Sequence, residues 1–274
     1  MPLSTVGKIG FIGGGNMAEA FIKGLISGGF LAKDILFSEP NEKRRQLMEE
    51  RYGVFCAANN MELVTSSDIV VLATKPQVLD KVLGDIVSVF NDEKLLISIL
   101  AGITTTTLEE GLGGQSHVVR AMPNTPALTG QGAAALCPGE YVNEEDRRVA
   151  QHLFETVGIA LWVEEGQMDA VTGLSGSGPA FVFTFIEALT AGGVQEGLRL
   201  DIAHALAVQT VAGAAHLVKE TGEHPALLRE KVCSPAGTTI TAIRVLEERG
   251  LRGMMMEAVG AATARSRELG KEKK

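Results

Sequence analysis

The chain has 274 residues, 45% hydrophobic but only 5% aromatic, which allows one large or two ordinary domains packed from aliphatic side chains, alanine and glycine. Its formal net charge is −8, and no basic block stands outside Lys271-Glu272-Lys273-Lys274, which argues against nucleic acid and anionic membranes and for a small-molecule ligand. Cys56, Cys137 and Cys233 have no C-x-x-C spacing and the five histidines no ligand spacing, so a reducing compartment without a metal is expected.

Met1 to Lys8 carry no export signal before the first apolar run, and the cytoplasm is the expected location. That run, 8–13, enters the pattern G-x-G-x-x-A at Gly13, Gly15 and Ala18 and then an amphipathic stretch, 16–28. Gly13 suits a tight turn, Gly15 a close approach of pyrophosphate to the backbone, and Ala18 close packing of helix on strand. A second strand, 35–38, is followed by Glu39, near the place of a ribose-binding acid. Ser38, Asn41, Lys43, Arg44 and Arg45 could instead receive a 2′-phosphate, so NADH and NADPH both stay open on the residues alone.

Further strands are expected at 54–56, 69–73, 95–99, 117–121, 132–136 and 159–163. Helices are expected between them at 41–51, 60–65, 77–90, 104–112 and 144–157. This alternation predicts an α/β fold with a doubly wound, mostly parallel Rossmann-type sheet over residues 1–163. From 164 to 274 β-branched runs disappear, and an all-α domain is expected with helices at 166–174, 178–196, 201–220, 225–231, 238–249 and 251–268. The helix 201–220 is apolar on nearly every side and must be buried all round, which a domain of this size cannot achieve alone; a homodimer is expected. Residues 179–194 are apolar enough to suggest a membrane span, but they are few and carry Glu187 in the middle.

Near the C-terminus, Ser234-Pro235-Ala236-Gly237-Thr238-Thr239 precedes a run of helix formers. With Thr238 or Thr239 as N-cap, hydroxyls and N–H groups would converge on a helix start and cradle an anion. A capped helix without a ligand explains the same residues equally well.

Together these segments resemble pyrroline-5-carboxylate reductases along essentially the whole chain. The resemblance rests on the opening Gly-Phe-Ile-Gly-Gly-Gly-Asn-Met-Ala, on Lys75-Pro76-Gln77, on Arg120-Ala121-Met122-Pro123-Asn124-Thr125-Pro126, on Leu174-Ser175-Gly176-Ser177-Gly178-Pro179-Ala180, and on Ser234 to Thr239. It implies a Rossmann domain, a helical dimerisation and substrate-binding domain, and dimers that can gather further, up to a decamer. It implies NADPH as cofactor, with NADH as the alternative. By resemblance, Gly13, Gly15, Asn16 and Met17 contact the pyrophosphate, Ser38, Glu39 and Asn60 lie near the adenosine, and Thr74, Lys75, Pro76 and Ala101 flank the nicotinamide ribose. Ser234, Gly237, Thr238 and Thr239 receive the substrate carboxylate, with Thr239 also near the ring nitrogen, and Glu165 matches an acid on the imine side. Two departures stand out: Ala236 occupies a position that is more usually glycine, and Lys231 one where some relatives carry asparagine. A β-hydroxyacid dehydrogenase of the same architecture and a non-catalytic dinucleotide sensor are the rival readings.

Overall fold

The computed structural model of the chain describes residues 7–271. The expectations placed on the extreme N-terminus and on the basic tail beyond Lys271 lie outside the described residues. All eight expected strands form: β1 (Ile9–Ile12), β2 (Ile35–Ser38), β3 (Phe55–Cys56), β4 (Ile69–Leu72), β5 (Leu95–Ser98), β6 (His117–Met122), β7 (Gly132–Pro138) and β8 (Gly158–Trp162). They make one sheet in the order β3-β2-β1-β4-β5-β6-β7-β8. Every neighbouring pair is parallel except β6 and β7. The reversal follows from the link 123–131, which has room for a 3-10 turn at Thr125–Thr129 but not for a crossover helix.

The helices of this half are α1 (Asn16–Ser27), α2 (Glu42–Tyr52), α3 (Asn60–Thr65), α4 (Leu79–Ile86), α5 (Thr105–Gly111) and α6 (Glu144–Glu155). Strand alternation sends Phe11, Phe37, Val71 and Ile97 to one face, where they pack with Phe21 of α1 and Phe154 of α6. Ile12, Leu72 and Leu96 go to the other, against Leu63 of α3, Leu83 of α4 and Leu108 of α5. With both faces covered, the central strands are buried throughout, as a parallel sheet requires.

The chain folds as two compact units that meet in sequence after Ser177, while composition changes character after Val163. One compact unit comprises the residues up to Ser177 with those from Ala261 onward; the other is Gly178–Gly260. Residues 164–177 stay with the sheet because they bond back to it: Glu165 pairs with Arg120 of β6, and Ser175 O accepts from Asn124. Ser266 Oγ donates to Asp169 at 2.6 Å, which ties the chain's last stretch to the same unit. The expected helix 166–174 is irregular: a 3-10 turn (Glu165–Gln167), the short α7 (Met168–Val171) and a π-helical turn (Thr172–Gly176) follow one another.

The second unit holds α8 (Gly178–Gln195), α9 (Leu200–Thr221), α10 (Pro225–Lys231), α11 (Thr238–Glu248) and the first part of α12 (Leu251–Lys271). Alpha9 buries only Ala203 and Ala207 within the single chain, while Leu206 is 55% exposed and Phe183 of α8 59%. The all-round burial expected of α9 is therefore not met inside one chain, because too few helices surround it. An apolar face of this extent marks an interaction surface.

Candidate active site

The strand order turns back between β1 and β4, so the loops after these two strands diverge and open a crevice at their carboxyl ends. The turn after β1 depends on Gly13, whose φ is +105° and where a Cβ would come within 2.7 Å of Ala73 O. Alpha1 then starts from Gly15, which has extended backbone, no side-chain cap and open space where a Cβ would stand. Its first N–H groups are left to an anion, with Asn16 and Met17 opening the helix.

Beside this turn lies a cleft of about 410 Å3, lined among others by Gly13, Ser38, Glu39, Asn60 and Thr74. Ser38 Oγ donates to Asn60 Oδ1 at 2.8 Å, and Asn60 Nδ2 donates to Asp85 Oδ2 at 3.1 Å, which fixes both side chains on the cleft wall. Asn59 caps α3 by accepting from Glu62 N, and so brings Asn60 to this position. Thr74 Oγ1 is buried without a hydrogen-bond partner, a polar group suited to a ligand hydroxyl. Of the other expected nucleotide residues, Lys75 begins the 3-10 turn that contains Pro76, and Ala101 is exposed after β5; neither these nor Gly15, Asn16 and Met17 line the cleft itself.

Glu39 is turned inward. Its Oε2 accepts Gly14 N–H at 3.0 Å and its Oε1 accepts Asn41 N–H at 2.9 Å. Arg44 donates to Gly14 O and to Glu19, whereas Arg45, which donates to Glu39 O at 3.1 Å, reaches the cleft wall with Lys81. The cleft thus presents the cations of Arg45 and Lys81 beside the carboxylates of Glu39 and Asp85, where the residues alone left the choice of phosphate or hydroxyl open.

In the second unit, Ser234 to Gly237 make a β-turn closed by Gly237 N–H donating to Ser234 O at 3.0 Å. Proline stands at its second position and Ala236 at its third with φ +55°, the arrangement of a type II turn that normally takes glycine. Gly237, and neither Thr238 nor Thr239, is the N-cap of α11; a Cβ on it would run into Ser234 Oγ. The threonines occupy the first helical positions because Gly237 carries the extended backbone that a cap needs. No side chain caps α11, so its leading N–H groups stand beside the hydroxyls of Ser234, Thr238 and Thr239, a set of donors for a carboxylate.

Glu165, expected on the imine side, lies in the first unit, its Oε1 paired with the buried Arg120 and its Oε2 accepting from Thr105 N–H at 3.2 Å and Thr105 Oγ1 at 2.9 Å. Burial, reinforced by the Glu165 charge, pushes the nearby Cys137 thiol up to about 12. With both oxygens engaged and a buried guanidinium to neutralise, the carboxylate ties the stretch after β8 to β6 and to the start of α5. Composition gave no sign of this partner, since the guanidinium comes from a strand 45 residues earlier. Among the described residues no group of three or more His, Cys, Asp or Glu side chains stands close enough to hold a metal ion.

Residues 165–269 match the dimerisation domain of pyrroline-5-carboxylate reductase, and residues 8–102 match the coenzyme F420-dependent NADP oxidoreductase domain. The chain is 46% identical to a pyrroline-5-carboxylate reductase of Synechocystis over 266 residues, covering 97% of this chain and 99% of that protein. The solved pyrroline-5-carboxylate reductase of Coxiella burnetii superposes with a TM-score of 0.92 at 38% identity, over 96% of this chain and 98% of the other. That of Plasmodium falciparum, solved with NADP bound, gives 0.87 at 33%, with the same shares covered.

Proposed function

This chain belongs to the pyrroline-5-carboxylate reductase family, and from that premise we propose that it reduces L-1-pyrroline-5-carboxylate to L-proline with NADPH. The carrying observation is that the similarity covers 97% of this chain, and so both of its units.

NADPH, when bound, supplies a hydride to the C=N carbon, and the electron pair of that bond goes to the ring nitrogen. A protonated cyclic imine is already an electrophile, so the protein's task is orientation. Gly13, Gly15, Asn16 and Met17 take the pyrophosphate at the start of α1. Ser38, Asn60 and Arg45 hold the adenosine half, and Thr74, Lys75, Pro76 and Ala101 the nicotinamide ribose. Ser234, Gly237, Thr238 and Thr239 hold the substrate carboxylate on the N–H groups of α11, with the Thr239 hydroxyl hydrogen-bonded to the ring nitrogen. The inward turn of Glu39 and the presence of Arg45 and Lys81 on the cleft wall favour a 2′-phosphate, hence NADPH over NADH.

The exposed apolar faces of α8 and α9 support a homodimer, whose further gathering toward a decamer would be read from its mass in light scattering. The helical stretch Glu165–Gln195 is long and apolar enough to cross a membrane by composition, but exposed Glu187 within α8 and the dimerisation match favour a subunit interface. The cysteines are unpaired, in keeping with a cytoplasmic enzyme.

The test is loss of reduced-nicotinamide absorbance with L-1-pyrroline-5-carboxylate, against a panel of 2-ketoacids. Turnover of the imine alone is expected. Turnover of other carbonyl acids alone would move the chain to a sister dehydrogenase, and NADPH binding without any turnover would make it a sensor.

A further inference from the structure

Two sequence segments that mark the chain, 120–126 and 174–180, have no part in the chemistry above, yet they meet. Asn124 is buried, its Oδ1 accepts Ala133 N–H at 2.9 Å, and its Nδ2 donates to Ser175 O at 3.0 Å. Since Ala133 N–H can only donate, the orientation of the amide is fixed. Ser175 lies in the π-helical turn, where Ser177 N–H reaches back five residues to Thr172 O at 2.8 Å. In a continuous α-helix Ser175 O would accept from residue 179, but that residue is Pro179, which has no N–H. Gly176 packs against Met122, where a Cβ would come within 2.8 Å of the methionine methyl. The Thr172 and Ser175 hydroxyls bond back to Met168 O and Val171 O, which bends helices further. The division between the two units falls directly after this turn.

We propose that Asn124 is a positioning residue of the reductase: it supplies the hydrogen bond that Pro179 withholds from Ser175, and so locks the π-helical turn through which the chain passes from the nucleotide-binding unit into α8. The inference rests on the function proposed above, because the residues assigned to the cofactor precede this turn in the chain and those assigned to the substrate carboxylate follow it, and hydride transfer depends on how firmly the turn is held. Pi-helical turns of a single turn recur at such functional junctions.

Asn124→Asp keeps the acceptor for Ala133 and removes the donor to Ser175. The full-length variant is expected to lose about tenfold or more in kcat while its Kd for NADPH, read by fluorescence titration, stays within about twofold. Amide exchange across residues 172–182 should accelerate. Adding Pro179→Ala returns an N–H to Ser175 O and is expected to recover most of the lost kcat. Unchanged kcat in Asn124→Asp overturns the proposal, as does a joint loss of turnover and NADPH affinity that Pro179→Ala does not repair. If Asn124→Asp alone does not fold, the double variant decides: folded and active supports the clamp, unfolded overturns it. Should the unaltered enzyme not reduce the imine, the functional reading fails while the exchange measurement still decides the clamp.

Discussion

Glu39 Oε2 accepts the backbone N–H of Gly14 at 3.0 Å, so the acid at the end of β2 buttresses the glycine turn after β1. A carboxylate so placed acts on any dinucleotide, whatever its 2′ group. Glu39→Ala is expected to raise the KM for NADPH and NADH together, by roughly tenfold, because an ionic hydrogen bond holding the turn is lost. Steady-state kinetics with both coenzymes check this; a selective loss of NADH would return Glu39 to the ribose.

Arg45 is the complementary case, since it reaches the cleft wall where a 2′-phosphate would lie. Arg45→Ala should weaken NADPH by roughly tenfold and leave NADH nearly unchanged, with a shallower salt dependence of NADPH binding. The ratio of the two KM values is the readout.

Thr239 sits at the second position of α11 beside an uncapped helix start. Thr239→Ala is expected to lower kcat by roughly ten- to a thousandfold, as loss of a preorganised hydrogen-bonding group does, with cofactor affinity preserved. Unchanged turnover would remove its hydroxyl from the reaction.

Ala236 holds φ +55°, the one non-glycine residue with positive φ among the described residues. Left-handed backbone costs an alanine about 1–2 kcal/mol, partly offset by the greater freedom glycine gives the unfolded chain. Ala236→Gly should therefore stabilise the protein by about 0.5–1 kcal/mol, visible in the urea midpoint, with the turn's shape and the kcat retained. Gly237→Ala, next to it, should lower turnover, because its methyl would displace Ser234 Oγ from the carboxylate set.

Glu19 is buried beside α2, where it accepts from Tyr52 Oη at 2.7 Å, Arg44 at 2.6 Å and Arg51 at 2.7 Å. Burial alone would raise its pKa, but the Tyr52 hydroxyl and the two guanidiniums outweigh it and hold the carboxyl below its ordinary value. With the folded pKa below the unfolded one, this stabilisation is complete above the unfolded value of about 4.3 and is lost as pH falls through the folded one. Glu19→Gln should be less stable by about 2 kcal/mol at neutral pH and should lose less stability on acidification. Denaturant midpoints from pH 7 to pH 3 would show this, and parallel curves for the two proteins would exclude it.

The sequence by itself determined the eight strands, the α/β alternation, the glycine turn at Gly13 and the helical character of the second half. Each of these is carried by neighbours within a few residues: the periods of apolar side chains, the φ that only glycine holds easily, the loss of β-branched runs after Val163. Tertiary structure decided what those residues touch. Glu39 finds Gly14 across 25 residues, Glu165 finds Arg120 across 45 and Asn124 finds Ser175 across 51, because strand order places them together. The last two of these bonds also anchor residues 164–177, helical in composition, to the sheet, so that they belong to the compact unit that contains it. Composition records local propensity; only the packed sheet determines which distant donor reaches a given acceptor.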